Sequence, residues 1–159
     1  MSRSWAWPRR VVRSPSTLIR RSAESCTGGL IGHRLTQTPG SSDYFLEGVV
    51  AYSNEAKNSR LEVSPTLIRK YGAVSEEVAL AMAEGIRKTS GADIGLSVTG
   101  VAGPDASNNK PVGTVFIAIS DKEKSDCKCF RFYSDRSRNK ERSAQAGLDL
   151  LRRWFRNLT

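Results

Sequence analysis

Apolar and polar positions switch between a period near two and a period near 3.6 along this chain, which predicts strands alternating with helices. Residues 17–22 read as a first strand, although Arg20 and Arg21 suit it poorly to burial. Residues 26–36 read as a helix with Ser25 near its N-cap, and 38–42 (TPGSS) as a turn. The run FLEGVVAY, 45–52, is rich in β-branched and aromatic residues and predicts a second strand. Ser53 then caps a short helix over 54–61, and Ser64-Pro65 opens another that ends near Tyr71-Gly72. Ser75-Glu76-Glu77 starts a longer helix with Val78, Met82, Ala83 and Ile86 on its apolar face, stopped by Gly91. Strands are expected over 93–99, 113–120 and 128–133, the last two joined by a charged turn at 121–125. A polar Gly/Pro-containing loop fills 100–110, and a closing helix over 138–156 carries Ala144, Leu148, Leu151 and Phe155 at helical spacing. Early alternation followed by a hairpin and a helix implies an α/β fold, a three-layer α/β/α sandwich around a mixed, mostly parallel sheet.

The 159 residues suit one domain with a full core, and no apolar run approaches a membrane span. Net charge is +9 and unevenly spread: residues 1–23 hold six arginines and no acid, leaving the rest at only +3. The body shows no basic face interleaved with aromatics, so nucleic acid is not the expected partner. Residues 1–16 read as an irregular basic segment and 17–159 as the folded domain. The segment is Arg- and Ser-rich and acid-free, a composition shared with organelle transit peptides, and it lacks the apolar core of a secretory signal. The domain itself is expected to be cytoplasmic, away from membranes, and homo-oligomeric. Cys26, Cys127 and Cys129 make no disulfide framework, and with His33 as the single histidine no His-based zinc cluster exists. No metal or cofactor is expected.

Candidate chemistry lies in the loops that follow strands. In an open α/β sheet these loops gather at one edge, where ligands bind. Three recur with small, polar and glycine residues: 25–29, 52–57 and 99–104. The first, within Ser22-Ala-Glu-Ser-Cys-Thr-Gly-Gly29, places a hydroxyl and a thiol on a strand-to-helix turn beside unpaired amides. Ser25 needs a base to act as a nucleophile. His33 lies two turns further along the same helix, about 10 Å away at ~1.5 Å per residue, too far for either Ser25 or Cys26. Lys57 replaces it if burial depresses its pKa. A lysine on a short helix is ordinarily a surface charge, and Ser53, one turn before it, competes as nucleophile while also serving as the helix cap. Thr99-Gly-Val-Ala-Gly-Pro104 has the composition of a phosphate-cradling turn but matches neither standard phosphate-loop pattern. Arg136 suits an anion, in a region where arginine is common.

Taken together, Ala23-Glu-Ser-Cys-Thr-Gly-Gly29, Pro39-Gly-Ser-Ser42, 49–57, Gly72-Ala-Val-Ser-Glu76, 99–104 and Lys110-Pro-Val-Gly-Thr114 occur in the order found in the CinA C-terminal domain family. The chain resembles these nicotinamide-mononucleotide amidases from Ser22 onward. The resemblance implies a three-layer domain with a five-stranded mixed sheet. It implies hydrolysis of the carboxamide of nicotinamide mononucleotide to nicotinate mononucleotide and ammonia, without a cofactor or metal. By the same resemblance Ser25 is the nucleophile, Lys57 the general base, and Tyr52 a further catalytic residue. Substrate binding falls to Thr27, Gly28, Gly29, Ser41, Ser53, Thr99, Gly100, Gly103 and Arg136, with amides near 27–29 as oxyanion stabilisers. The alternative is a non-catalytic competence- or damage-linked interaction module of the same fold. Three places depart from the family pattern: the Arg-rich start, Asn139-Lys140 where an apolar residue and Arg are usual, and Asp105-Ala-Ser-Asn-Asn109 where glycines are usual.

Overall fold

The computed structural model describes residues 19–107 and 109–156. The basic segment expected over 1–16, and the start of the strand expected at 17, lie outside the described residues. The first element is β1 (Ile19–Glu24), followed by α1 (Leu30–Thr36), a single 3-10 turn at Ser41–Asp43, and β2 (Glu47–Val50). Helices α2 (Asn54–Leu61), α3 (Pro65–Tyr71) and α4 (Glu76–Ser90) come next. Strands β3 (Ile94–Gly100), β4 (Thr114–Ser120) and β5 (Ser125–Arg131) precede the last helix, α5 (Arg136–Arg156).

The strands form one five-stranded mixed sheet in the order β2-β1-β3-β4-β5. β1 pairs in parallel with β2 and β3, whereas β3–β4 and β4–β5 are antiparallel. Four of the five strands therefore run the same way, and β4 alone runs against them.

Side-chain alternation on the central strands divides the molecule into its three layers. On one face Ile94, Leu96 and Val98 of β3 and Val115, Ile117 and Ile119 of β4 pack with Ile31 and Leu35 of α1 and with Ala144, Leu151 and Phe155 of α5. On the other face Ala23 of β1 joins Leu61 of α2, Ile68 of α3 and Val78, Met82 and Ile86 of α4. The polar residues of β3 on that second face are satisfied by backbone carbonyls: Ser97 Oγ donates to that of Ala79 in α4 (2.6 Å) and Thr99 Oγ1 to that of Ala73 in the connection between α3 and α4 (2.8 Å).

α4 is stopped as its ends predict. Ser75 Oγ accepts from the Val78 amide at the start, and Gly91 closes it with φ 64°. Its Gly85 serves packing rather than turning. A Cβ there would stand 1.9 Å from the carbonyl oxygen of Leu61, so α2 and α4 cross in backbone contact. Gly85→Ala is expected to cost roughly 2–3 kcal/mol, the upper end for overpacking, because the obstacle is backbone. The melting temperature should fall by roughly 4–12 °C. An unchanged melting curve would show that the helices separate at no cost.

Several boundaries differ from expectation, among them β1, which runs to Glu24, two residues past 22, and β5, which ends at Arg131, two short of 133. Helix α1 begins at Leu30 instead of 26, because Gly28 and Gly29 adopt φ 62° and 96° and make residues 25–29 a turn. β2 covers only four of the eight residues expected, since its pairing with β1 ends at Val50. β5 begins at Ser125, three residues early, because the tight turn after β4 sets Ser120 opposite Ser125. α5 begins at Arg136, two residues early, because Asp135 Oδ1 accepts the Arg138 amide and serves as its cap (3.0 Å).

Candidate active site

The carboxyl ends of β1, β2 and β3 meet at one edge of the sheet, and the three candidate loops meet with them. Ser25 extends the pairing of β1 by one residue, its amide donating to the Val98 carbonyl of β3 (2.9 Å). This fixes the backbone immediately before the glycine turn.

The turn is held from beneath by Glu24. Its carboxylate is 1% exposed and accepts from Thr27 Oγ1 (2.7 Å) and from the amides of Gly29 (3.0 Å), Ile31 (3.0 Å) and Gly32 (2.9 Å). These amides belong to the start of α1, which has no side-chain cap from its N-cap residue, Gly29. A buried carboxylate therefore does the work expected of Ser25 as N-cap, and it complements the positive end of the helix dipole. Glu24 stands beside Ser25 in the sequence; an acid at a strand end before a glycine turn and a helix is the signal that could have revealed it.

Lys57 approaches from the other face. Ser53 Oγ accepts the Ala56 amide and caps α2, which turns Lys57 and Leu61 inward at i, i+4 spacing. Lys57 is 2% exposed, and its Nζ lies 3.2 Å from Ser25 Oγ and 3.2 Å from the Ala51 carbonyl oxygen. Burial lowers its pKa below the usual 10.5, in favour of the neutral amine. Cys26, beside Ser25, is shifted the opposite way: burial pushes its thiol up to about 12, so it stays protonated and unreactive. His33 is exposed on α1, a helix on the opposite face of the sheet from α2, and contributes nothing here.

Ser25 and Lys57 open onto a cavity of about 410 Å³. Thr99, Gly100 and Gly103 line it, as expected, with Thr99 oriented by its bond to Ala73. Tyr52 and Arg136 also line it and are joined: Arg136 donates to the Tyr52 hydroxyl (2.8 Å) and to the Gly103 carbonyl. Arg136 thus ties the loop after β2 to the loop after β3. Tyr52 is largely exposed, and its recorded hydroxyl partner is Arg136 rather than Ser25 or Lys57. Asn54, Asp105 and Ser107 line the same cavity and were not anticipated. Asn54 falls within the 52–57 loop already singled out, and Asp105 and Ser107 within the polar stretch 105–109; nothing in the local pattern marks their side chains, because the sheet edge brings together residues distant in sequence.

The remaining expected binding residues lie elsewhere. Thr27 is buried against Glu24, and Ser53 is engaged as a helix cap; neither lines the cavity. Gly28 and Gly29 also lie off its lining, and their amides are occupied. The Gly28 amide donates to the Ser25 carbonyl (3.0 Å) and the Gly29 amide to Glu24, so neither is available to an oxyanion. Ser41 sits in the 3-10 turn, where its carbonyl accepts the Tyr44 and Phe45 amides, and it does not line the cavity. The Asn139-Lys140 departure has a structural use. Asn139 is fully buried and donates to the carbonyls of Ala102 (3.1 Å) and Ser134 (2.8 Å), locking α5 to the cavity loop. Lys140 reaches over the nucleophile turn, its Nζ 3.7 Å from where a Gly28 Cβ would lie.

Among the described residues no three His, Cys, Asp or Glu side chains converge to hold a metal, and no helix is long and apolar enough to cross a membrane. The family model for the CinA C-terminal domain matches residues 15–155. The chain belongs to the CinA C-terminal domain family. It is 53% identical over 141 residues to a CinA-like protein of Citrifermentans bemidjiense, an alignment covering 88% of this chain and 34% of that protein. The chain thus spans about a third of the length of the curated relatives it matches. Its fold superposes on a CinA superfamily protein from Klebsiella pneumoniae with TM-score 0.87 at 28% identity, covering 94% of this chain and 93% of the other. The competence/damage inducible protein CihA from Agrobacterium tumefaciens gives TM-score 0.84 at 36% identity, covering 90% of both chains. These matches identify the open mixed sheet as the family's own.

Proposed function

We propose that this CinA domain is a serine amidohydrolase that converts the carboxamide of nicotinamide mononucleotide to the carboxylate, releasing ammonia. The observation that carries the reading is the buried Lys57 amine 3.2 Å from the Ser25 hydroxyl, at the base of an open cavity. A serine hydroxyl beside a desolvated lysine is a nucleophile with its base in place.

In the proposed path, neutral Lys57 takes the Ser25 hydroxyl proton as Oγ attacks the carboxamide carbon. The Cys26 amide, next to Ser25 in a residue that lines the cavity, is the candidate to receive the oxyanion. Lys57 then gives its proton to the leaving nitrogen, the C–N bond breaks, and ammonia departs from an acyl-Ser25 ester. Water attacks that ester, Lys57 accepts a proton from it, and the proton returns to Ser25 Oγ as the C–O bond breaks. The carboxylic acid product leaves, losing its proton to solvent to become the carboxylate, and both residues regain their starting states. Arg136 faces the nucleotide's phosphate at the rim, and Thr99, Gly100 and Gly103 contact its body.

The direct test is ammonia and nicotinate mononucleotide production by the purified protein. Production of both supports the amidase. Nucleotide binding without turnover would support the interaction-module reading instead. The pH profile adds a signed expectation. Lys57 acts as base only when neutral, and burial places its folded pKa below 10.5. Activity should therefore rise with pH through that lowered value and be lost as pH falls through it. Lys57→Arg should not restore activity, since a guanidinium stays charged throughout. An acid limb unmoved by Lys57 substitutions in residual-rate measurements would exclude Lys57 as the base.

A further inference from the structure

Asp105 is the one carboxylate among the described residues that line the cavity of Ser25 and Lys57. It is exposed and enters no ion pair among the described residues. Its position relative to Arg136 is constrained by the chain. Arg136 donates to the Gly103 carbonyl, and Asp105 follows Gly103 by two residues, a span of at most ~7 Å between Cα atoms. The other acceptor of Arg136, the Tyr52 hydroxyl, is also neutral. An anion held by Arg136 therefore shares a cavity of about 410 Å³ with the Asp105 carboxylate, and their repulsion is screened by salt in the open mouth.

With Lys57 acting in its neutral form, the charged lining reduces to one guanidinium and one carboxylate. A phosphate monoester gains the first and is opposed by the second. A nucleoside body without phosphate meets no such opposition. It also brings hydroxyl donors, which an ionised carboxylate is suited to accept.

We infer that Asp105 is a specificity-determining residue that weakens the hold on the substrate's phosphate and accepts hydroxyls of the sugar, so that the site admits phosphate-free nucleoside carboxamides alongside the nucleotide. This rests on the amidase reading for its chemistry, but the charge preference belongs to the cavity itself. Among the described residues the Asp105 side chain makes no hydrogen bond to the backbone around it, so its substitution leaves the fold intact.

The experiment compares kcat/KM for nicotinamide mononucleotide and for nicotinamide riboside in the wild type, Asp105→Asn and Asp105→Glu. Asp105→Asn should raise the nucleotide-to-riboside ratio roughly three- to tenfold at low salt, mainly through KM. The gain should shrink at about 0.5 M salt. Asp105→Glu, which restores the charge, should return the ratio toward wild type. Calorimetric binding of the products, nicotinate mononucleotide and nicotinate riboside, reads the same ratio without turnover. A shifted binding ratio with no ammonia release from either substrate would uphold Asp105 and overturn the amidase. Ammonia release with both ratios unchanged in Asp105→Asn would overturn the role of Asp105 and leave the amidase standing. Failure of all these compounds to bind or react would overturn both.

Discussion

Ser25→Ala is expected to reduce ammonia release by roughly four to six powers of ten while leaving the protein folded, because it removes the attacking atom and nothing nearby can replace it. The adjacent thiol of Cys26 is held protonated by burial, with its pKa near 12. The Ser53 hydroxyl is engaged with the Ala56 amide and lies off the cavity lining. A residual rate would reflect binding and oxyanion stabilisation alone. Circular dichroism and calorimetric binding of nicotinate mononucleotide provide the controls, since the change deletes one oxygen from a nearly buried side chain. Wild-type turnover in this variant would end the Ser25 mechanism and make Ser53→Ala the next comparison. A fall in turnover accompanied by loss of fold would instead assign Ser25 to the turn.

Glu24→Ala should produce the largest loss of stability of any single change near the site, about 3–5 kcal/mol in urea denaturation. The truncation strands the amides of Gly29, Ile31 and Gly32 and the Thr27 hydroxyl, all of which now donate to one carboxylate. Water has little access to replace it, with Thr27 and Ile31 themselves buried. Glu24→Gln keeps the shape but turns an NH2 group toward one of the donors, so an intermediate loss is expected. Activity should fall in both variants, because the turn that carries Ser25 hangs from these bonds. Stability of Glu24→Ala equal to wild type would mean that α1 finds another cap, and that the carboxylate is not what shapes the turn.

Much of the architecture is legible in local pattern. The Ser75 and Gly91 signals bracket α4, Ser53 caps α2, and Pro65 opens α3 at the positions expected. The apolar runs at the centre of the chain become β3 and β4 nearly residue for residue, since both strands are buried on two faces and need continuous apolar or small residues. The edge strands are less legible. β2 is mostly exposed, with Val50 open to solvent, and its length follows its pairing with β1 rather than its own composition.

The sequence by itself determined the order of strands and helices, the convergence of three strand-end loops, and Ser25 as the candidate nucleophile among them. These follow from periodicity, caps and connection rules, which act over a few residues. Only the tertiary structure decided the state of Lys57. A lysine on an eight-residue polar helix has no local reason to be buried; it is buried because α2 packs its inner side against the sheet and α4. Glu24 likewise became a cap only when α1 folded back over β1. The same is true of Asp105 and Ser107, which reach the cavity because the chain after β3 lies at the same sheet edge as the ends of β1 and β2. Burial, desolvation and the approach of groups distant in sequence are properties of packing, and packing decides which of the polar residues in a chain become chemically distinct.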